Sequence, residues 1–354
     1  SIFREARGVR GSVGICDVST LGKIDLQGPD AATFLDRLYT NTFSTLAVGK
    51  ARYGLMLRED GFVLDDGTVA RLGPTHYVLT TTTANAAKVF QHMEFCRQVL
   101  WPGYSVTLAS VTDQWAQYAV AGPRSRDVLR KLVDPAFDIS DAALPRMGAA
   151  HLTVCGGIEG RLFRVSFSGE RAYEIAVPAF HGDALIRALM QAGEEFGITP
   201  YGVEALSIMR IEKGHVAGGE LNGTTTAADL GLGKMMSTKK DYIGRMMAQR
   251  EGLTDPARAC VVGIRPVDTR DKLRSGSHLL TRGTRPSMAA DQGYITSVAW
   301  SPMLNMWLGL ALLNNGRNRI GEVVQVFDGL RNIHMLAEIC EPMHFDKDNA
   351  RLHG

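Results

Sequence analysis

Two stretches of the chain follow one plan. "IDLQGPDAATFLDRLY" (residues 24–39) and "YAVAGPRSRDVLRKLV" (residues 118–133) each read as a short strand, a Gly-Pro turn and an amphipathic helix. Pro suits the start of a helix, where its missing N–H leaves no bond unmade. A strand–turn–helix unit used twice, with further strands between, predicts a pseudo-duplicated α+β body. Strands are expected at "HYVLTTTT" from His76, "GRLFRVSF" from Gly160 and "RAYEIAVPA" from Arg171, and helices at 84–99, 182–196 and 203–213. In the last strand Tyr173, Ile175 and Val177 share one face, and Glu174 and Ala176 the other. The Gly/Thr-rich stretch 216–237 reads as irregular surface chain.

From about Ala257 the pattern changes. "ACVVGIRP", "GYITSVAW", "LGLALL", "EVVQVFDG" and "HMLAEIC" are short strands separated by turns, which predicts a small C-terminal β-barrel or sandwich. The polar end from Asp346 reads as a disordered tail.

Composition narrows the function classes. With 39 Lys and Arg against 37 Asp and Glu, the net charge of +2 gives no nucleic-acid footprint and no polybasic membrane patch. The most apolar run, "MWLGLALL", is too short to span a bilayer. Five widely spaced cysteines, with no CxxC pair, fit a reducing cytoplasm and read as unpaired, semi-buried thiols. The nine histidines show no HxxxH or HExxH spacing, and His215 beside Gly214 reads as structural. No GxGxxG and no GxxxxGK[ST] occurs, so no flavin or NAD site is expected on this chain alone.

The stretch "RYGLMLREDGFVLDDGTVARLG" (residues 52–73) carries the chemistry. Asp60-Gly61 between apolar runs signals a hairpin. Its second strand ends on two adjacent carboxylates, Asp65 and Asp66. Neighbours on an extended chain point opposite ways, so one of the two can face a ligand while the other holds the turn.

Together, "VGICDVSTLGKIDLQGPDAATFLDRLYTN", "ARYGLMLREDGFVLDDGTV", "FSGERAYEIAVP", "RIEKGH" and "YITSVAWSPMLNMWLGLALL" resemble the folate-binding aminomethyltransferases typified by the T-protein of glycine cleavage. They occur in family order over nearly the whole chain. "STLGKIDL" and "RIEKGHVAGGELNGTTTAADLGL" are similar to one branch, the C-terminal half of the α subunit of heterotetrameric sarcosine oxidases. That subunit begins with a dinucleotide-binding half that has no counterpart here. Together with the opening on Ser1, this suggests an excised or separately encoded piece.

The resemblance implies a three-domain cloverleaf. Residues 1–47 and 112–238 would form a first, folate-binding α+β domain, residues 48–111 and 239–256 a second α+β domain, and residues 257–345 the barrel, with 346–354 a disordered tail. It implies tetrahydrofolate-dependent capture of a one-carbon unit from an oxidised N-methyl amine, giving 5,10-methylenetetrahydrofolate. Flavin-bearing sarcosine oxidase subunits would be the partners. Asp66 takes the position of the essential carboxylate, and Glu174 that of the pterin-reading glutamate. Tyr53, Tyr173, Phe167, Thr82 and Arg210 fall at folate-binding positions. Leu206-Ser207 replaces an Arg-Asp pair, Thr82 an Asn and Phe167 a Tyr, and Arg210 is equally consistent with a structural ion pair. Two other readings stand beside the first: a free-standing aminomethyltransferase or demethylase, and a non-catalytic folate-binding module. The second lacks support at "KKDYIGR", where the module's cysteine is replaced by Asp241.

Overall fold

The repeated strand–Gly-Pro–helix units sit in two different sheets, and each Gly-Pro turn is dictated by a close approach. Gly28 has φ 140° and Gly122 has φ 123°. A Cβ at Gly28 would lie 2.2 Å from the Ser105 carbonyl oxygen, and one at Gly122 would lie 2.3 Å from that of Ser12. Only glycine fits both the backbone angle and the space.

The computed structural model describes residues 1–353. The α+β body contains β1 (Gly14–Asp17), β2 (Gly22–Gln27), β3 (Lys50–Leu57), β4 (Val63–Gly73), β5 (His76–Thr81) and β6 (Thr107–Ser110). It continues with β7 (Trp115–Ala121), β8 (Ala149–Val154), β9 (Ile158–Phe163), β10 (Ala172–Pro178) and β11 (Thr199–Pro200). Its main helices are α1 (Ile2–Gly11), α2 (Ala31–Leu38), α3 (Ala86–Phe95), α4 (Ser125–Arg130), α5 (Gly182–Gly193) and α6 (Val203–Lys213). Then follow β12 (Ala259–Pro266), β13 (His278–Leu280), β14 (Asp291–Ser301), β15 (Met306–Asn314), β16 (Val323–Asp328) and β17 (Ile333–Cys340).

The first sheet has the order β11-β1-β7-β10-β9-β8 and the second β3-β4-β5-β2-β6. Strands β12 to β17 close a six-stranded barrel, so the expected α+β fold with a C-terminal barrel is the one observed. No described helix is long and apolar enough to cross a membrane.

Three expectations need correction. Residues 22–47 were grouped with the first domain, but β2 pairs with β5 and β6 and α2 packs in the core of the second sheet. The second sheet is thus a single excursion inserted between β1 and β7. Its two ends are neighbours: the Val18 N–H donates to the Gln117 carbonyl and the Val111 N–H to that of Lys23.

The stretch 216–237 is irregular but lies only partly on the surface. Ala227 and Leu230 are buried between Leu55 and Leu57 of β3 and Val261 and Leu312 of the barrel. Nor is the tail disordered through residue 353. Lys213 holds Asp346 in a buried ion pair at 2.8 Å, Ala350–His353 forms a helical turn, and Leu352 is buried.

The tail closes over a buried ionic network centred on Arg10 of α1. Its guanidinium donates to Glu212 of α6 at 2.7 Å, to Glu170 at 2.8 Å, and to the Ser168 and Met209 carbonyls. Arg351 donates to Glu170 at 2.6 Å, and Ser301 of the barrel to Glu212 at 2.6 Å. Removing one member of a buried pair strands the others without solvent. Arg10→Ala is therefore expected to lower stability by about 3–5 kcal/mol. A urea midpoint equal to that of the parent protein would show that the network contributes nothing.

Candidate functional site

The register fixes which side chains face each other. In β4, Asp66 pairs with Leu55 of β3, while Asp65 pairs with Met56, which packs in the core of the second sheet. The two carboxylates therefore point to opposite faces, as the extended chain requires. They lie inside β4, near its start, and not at a strand end. Asp65 is 4% exposed and accepts from the Thr82 hydroxyl and N–H and from Asn85 Nδ2. It thereby anchors the entry to α3, whereas the hairpin turn is held by Asp60, which accepts from Phe62 N–H and Arg58.

Asp66 shares its face with Tyr53, Thr68, Ala70 and, across the ladder, Val78 of β5. Ala51, Ala70 and Val78 of this face pack against Ala149, Phe163 and Val165 from the region of β8 and β9. Phe163 is the register partner of Glu174, so Glu174 stands on the face of the first sheet that meets the Asp66 face of the second. A bidentate ion pair from Arg161 of β9 to Asp25 of β2, with both distances 2.9 Å, pins the sheets together across this junction.

Each carboxylate is held on one oxygen. The Tyr53 hydroxyl donates to Asp66 Oδ2 at 2.5 Å, while Asp66 Oδ1 is buried and has no hydrogen-bond partner from another residue. Burial, moderated by the Tyr53 bond and reinforced by the Asp65 charge, pushes the Asp66 carboxyl up to about 6. Gln117 Nε2 donates to Glu174 Oε2 at 2.5 Å. Burial pushes the Glu174 carboxyl up to about 7, and Gln117 and the Lys23 ammonium pull it back. A buried acceptor with an open lone pair is costly unless a ligand supplies a donor. The junction thus offers two carboxylates poised to accept N–H groups, both shifted by burial toward neutral pH.

The structure separates the other expected site residues. Tyr53 stands beside Asp66, its hydroxyl on Oδ2. Tyr173 is fully buried on the opposite face of β10 from Glu174, where its hydroxyl accepts from Arg126 Nε at 2.8 Å. Thr82 is spent on Asp65, on the wrong face. Arg210 is committed to Glu220 at 3.0 Å, to Ser297 Oγ at 2.7 Å and to the His215 carbonyl, so it is the structural ion pair and not a free cation. Phe167 is 42% exposed and stacks on His215 at 5.7 Å, beside a cavity of about 50 Å³ lined in part by Arg164, Ser166 and Ala172. Leu206 packs with Ala119 and Cys16 beneath the Glu174 face. Two participants escaped the sequence reading, Gln117 and Lys23. The alternation Lys23–Ile24–Asp25–Leu26 was the available signal, since it places Lys23 with Asp25 on the face away from the apolar core.

Comparison with known proteins agrees with this architecture. Residues 1–240 match the family described as GCVT N-terminal domain, and residues 260–346 match the glycine cleavage T-protein C-terminal barrel domain. The chain is 55% identical over its whole length to the sarcosine oxidase subunit alpha of Rhizobium meliloti, and 42% identical to that of Corynebacterium sp. strain P-1. It spans 36% and 37% of those relatives, little more than a third of each. An aminomethyltransferase of Caldanaerobacter subterraneus is 30% identical, with 98% of this chain covering 89% of that one. The solved aminomethyltransferase T of Bartonella henselae superposes over 98% of this chain and 90% of its own, with a TM-score of 0.84 at 22% identity, which establishes the fold. By both domains and by a relative of matching length, the chain belongs to the glycine cleavage T-protein family of aminomethyltransferases.

Proposed function

We propose that this chain captures a one-carbon unit on tetrahydrofolate, as the T-protein-like part of a sarcosine oxidase-like complex. The observation that carries the reading is the buried, unpartnered Oδ1 of Asp66 on a wall facing Glu174. Tetrahydrofolate supplies two nucleophilic nitrogens and a pterin edge with adjacent N–H donors. Glu174 fits that edge, because a carboxylate accepts two parallel N–H bonds and Gln117 holds it from one side. Asp66 Oδ1 is free to orient an N–H, to accept its proton and to stabilise a passing iminium charge, while Tyr53 fixes Oδ2.

The one-carbon unit would come from a sarcosine-type imine or formaldehyde made by flavin-bearing partner subunits in the cytoplasm. The extensive match to sarcosine oxidase α subunits supports that setting. A free-standing aminomethyltransferase is the second reading, favoured by the relative of matching length.

Replacing Glu174 with Ala should leave the fold intact and weaken tetrahydrofolate binding by about 1.5–3 kcal/mol, the size of a charged hydrogen-bonding contact. Calorimetric titration showing parental affinity would remove Glu174 from the site.

Asp66→Asn keeps the shape but neither the charge nor the proton-accepting oxygen. Product formation should slow by about 10²–10⁴-fold, the usual contribution of a general base. Because formaldehyde condenses with tetrahydrofolate unaided, the assay compares methylenetetrahydrofolate formed with formaldehyde released by the reconstituted complex. Asp65→Asn should leave that partition unchanged; if it shifts the partition instead, the roles of the two residues are reversed.

The same Asp66→Asn change should stabilise the protein at neutral pH. The Asp66 carboxyl sits near 6 in the fold against 3.8 ordinarily, so the fold penalises its charged form. The penalty is complete above about pH 6 and vanishes below the unfolded value. A gain on the order of 1–3 kcal/mol at pH 7.5 should shrink as pH falls from 6 to 4. Thermal melts with a gap that grows on acidification would contradict this assignment.

A further inference from the structure

We infer that Lys23 is a positioning residue that keeps Glu174 ionised for ligand binding, acting across the junction between the two sheets. This inference rests on the reading of Glu174 as the acceptor of ligand N–H groups.

Lys23 belongs to β2 in the second sheet, yet its side chain is 2% exposed and turned to the junction face. Its ammonium donates to the Ser19 carbonyl at 2.7 Å and the Leu21 carbonyl at 3.0 Å. Both acceptors are neutral backbone groups, and no ion pair within 4.0 Å engages Lys23 among the described residues. A buried ammonium held only by carbonyls is expensive unless a nearby negative charge offsets it.

A run of neighbouring residues leads to that charge. The Ser19 hydroxyl donates to the Gln117 carbonyl at 3.3 Å and accepts from the Gln117 N–H at 2.9 Å. The Gln117 side chain, itself 1% exposed, donates to Glu174. Lys23, Ser19, Gln117 and Glu174 are thus neighbours residue by residue from the second sheet to the first, linked through backbone and side-chain groups in turn.

The other groups around this chain are few. Cys16 and Glu174 flank Ala119 from the strands on either side of β7, and the Cys16 thiol is pushed up to about 11 by burial and by the Asp17 and Glu174 charges. Tyr201 is pushed well above its usual range by burial, with smaller contributions from Cys16 and Glu174. Both remain neutral near pH 7. Asp17 and Asp113 lie on the Lys23 side and help hold its proton. Lys23 is therefore the cation on this path. Burial lowers its ammonium to about 8, with Glu174 as the leading opposing influence, which fits a coupled pair.

The chemistry is simple. Only ionised Glu174 can accept N–H bonds in parallel on both oxygens, since protonation turns one of them into a donor, and apparent affinity falls with the fraction of protein in the competent form. Without the Lys23 charge, Glu174 should titrate higher. For a carboxyl half-ionised at pH 7, a rise of one unit leaves about a tenth ionised, roughly a fivefold loss of affinity at that pH.

The test measures binding of tetrahydrofolate between pH 6 and 9 for the parent protein and for Lys23→Gln, Lys23→Met and Lys23→Arg. Lys23→Gln keeps a donor for the carbonyls and loses the charge. The expected result is a loss of about fivefold or more at pH 7 for the two neutral variants, recovering towards the parent value by pH 9. Lys23→Arg should follow the parent curve. In a Glu174→Gln background, the Lys23→Gln change should have no further effect on affinity. A ¹³C-carboxyl titration of Glu174 in ligand-free protein reads the same shift without folate. If the parent fails to bind tetrahydrofolate yet Glu174 titrates higher in Lys23→Gln, the coupling stands and the folate reading fails. If the parent binds and Lys23→Gln matches it at every pH, the inference is overturned. Failure of both neutral variants to fold, with Lys23→Arg folded, would assign Lys23 to the architecture and overturn it equally.

Discussion

Arg10 ties together parts of the chain that share no sheet. Its guanidinium is almost fully buried and meets Glu212 of α6 and Glu170 before β10, while Arg351 from the tail joins Glu170 and Ser301 from the barrel joins Glu212. The ionic core therefore specifies how α1, the first sheet, α6, the barrel and the tail dock. Apolar contacts between α6 and the barrel, with Ile208, Met209, Leu308 and Leu310 in one cluster, supply the burial, and the charges supply the register. Since α6 also backs the Glu174 face of the first sheet, the site's rear wall depends on this one arginine.

The site itself is built at a junction, and that governs its electrostatics. Burial pushes both carboxyls up, and each keeps a single strong side-chain donor, Tyr53 or Gln117. The fold thus carries a cost in stability at the place where ligand donors are needed, a usual trade at functional sites.

Much of this was legible in the sequence where local pattern and tertiary role coincide. The Gly-Pro turns, the Asp60-Gly61 hairpin and the short strands after Ala257 each have a local cause. The alternation in β10 correctly put Tyr173 with Ile175 and Val177 in the core. The resemblance puts Tyr173 at a folate-binding position, whereas its side chain is buried on the face of β10 away from Glu174. Other features have no local signature. Helix α1 is rich in charge, and what settles its place is the burial of Arg10 by residues about 160–200 positions away. Residues 216–237 look like surface chain because they are Gly- and Thr-rich. They tolerate burial because they carry their own partners: Thr225 donates to the Glu220 carbonyl, and Thr226 and Asp229 exchange backbone and side-chain bonds. Arg210 could be read as a ligand contact only while its fold-back partner Glu220 was unknown.

The insertion of the second sheet between β1 and β7 has a mechanical consequence. The excursion leaves and returns through two adjacent segments stitched to each other by backbone bonds, Val18 to Gln117 and Val111 to Lys23. The Arg161–Asp25 ion pair ties this lobe to the first sheet as well, so the lobe is fastened both at its stem and across the junction. Because the stem bonds end on the Lys23 and Gln117 carbonyls, the residues that fasten the lobe are the same ones whose side chains stand near Glu174.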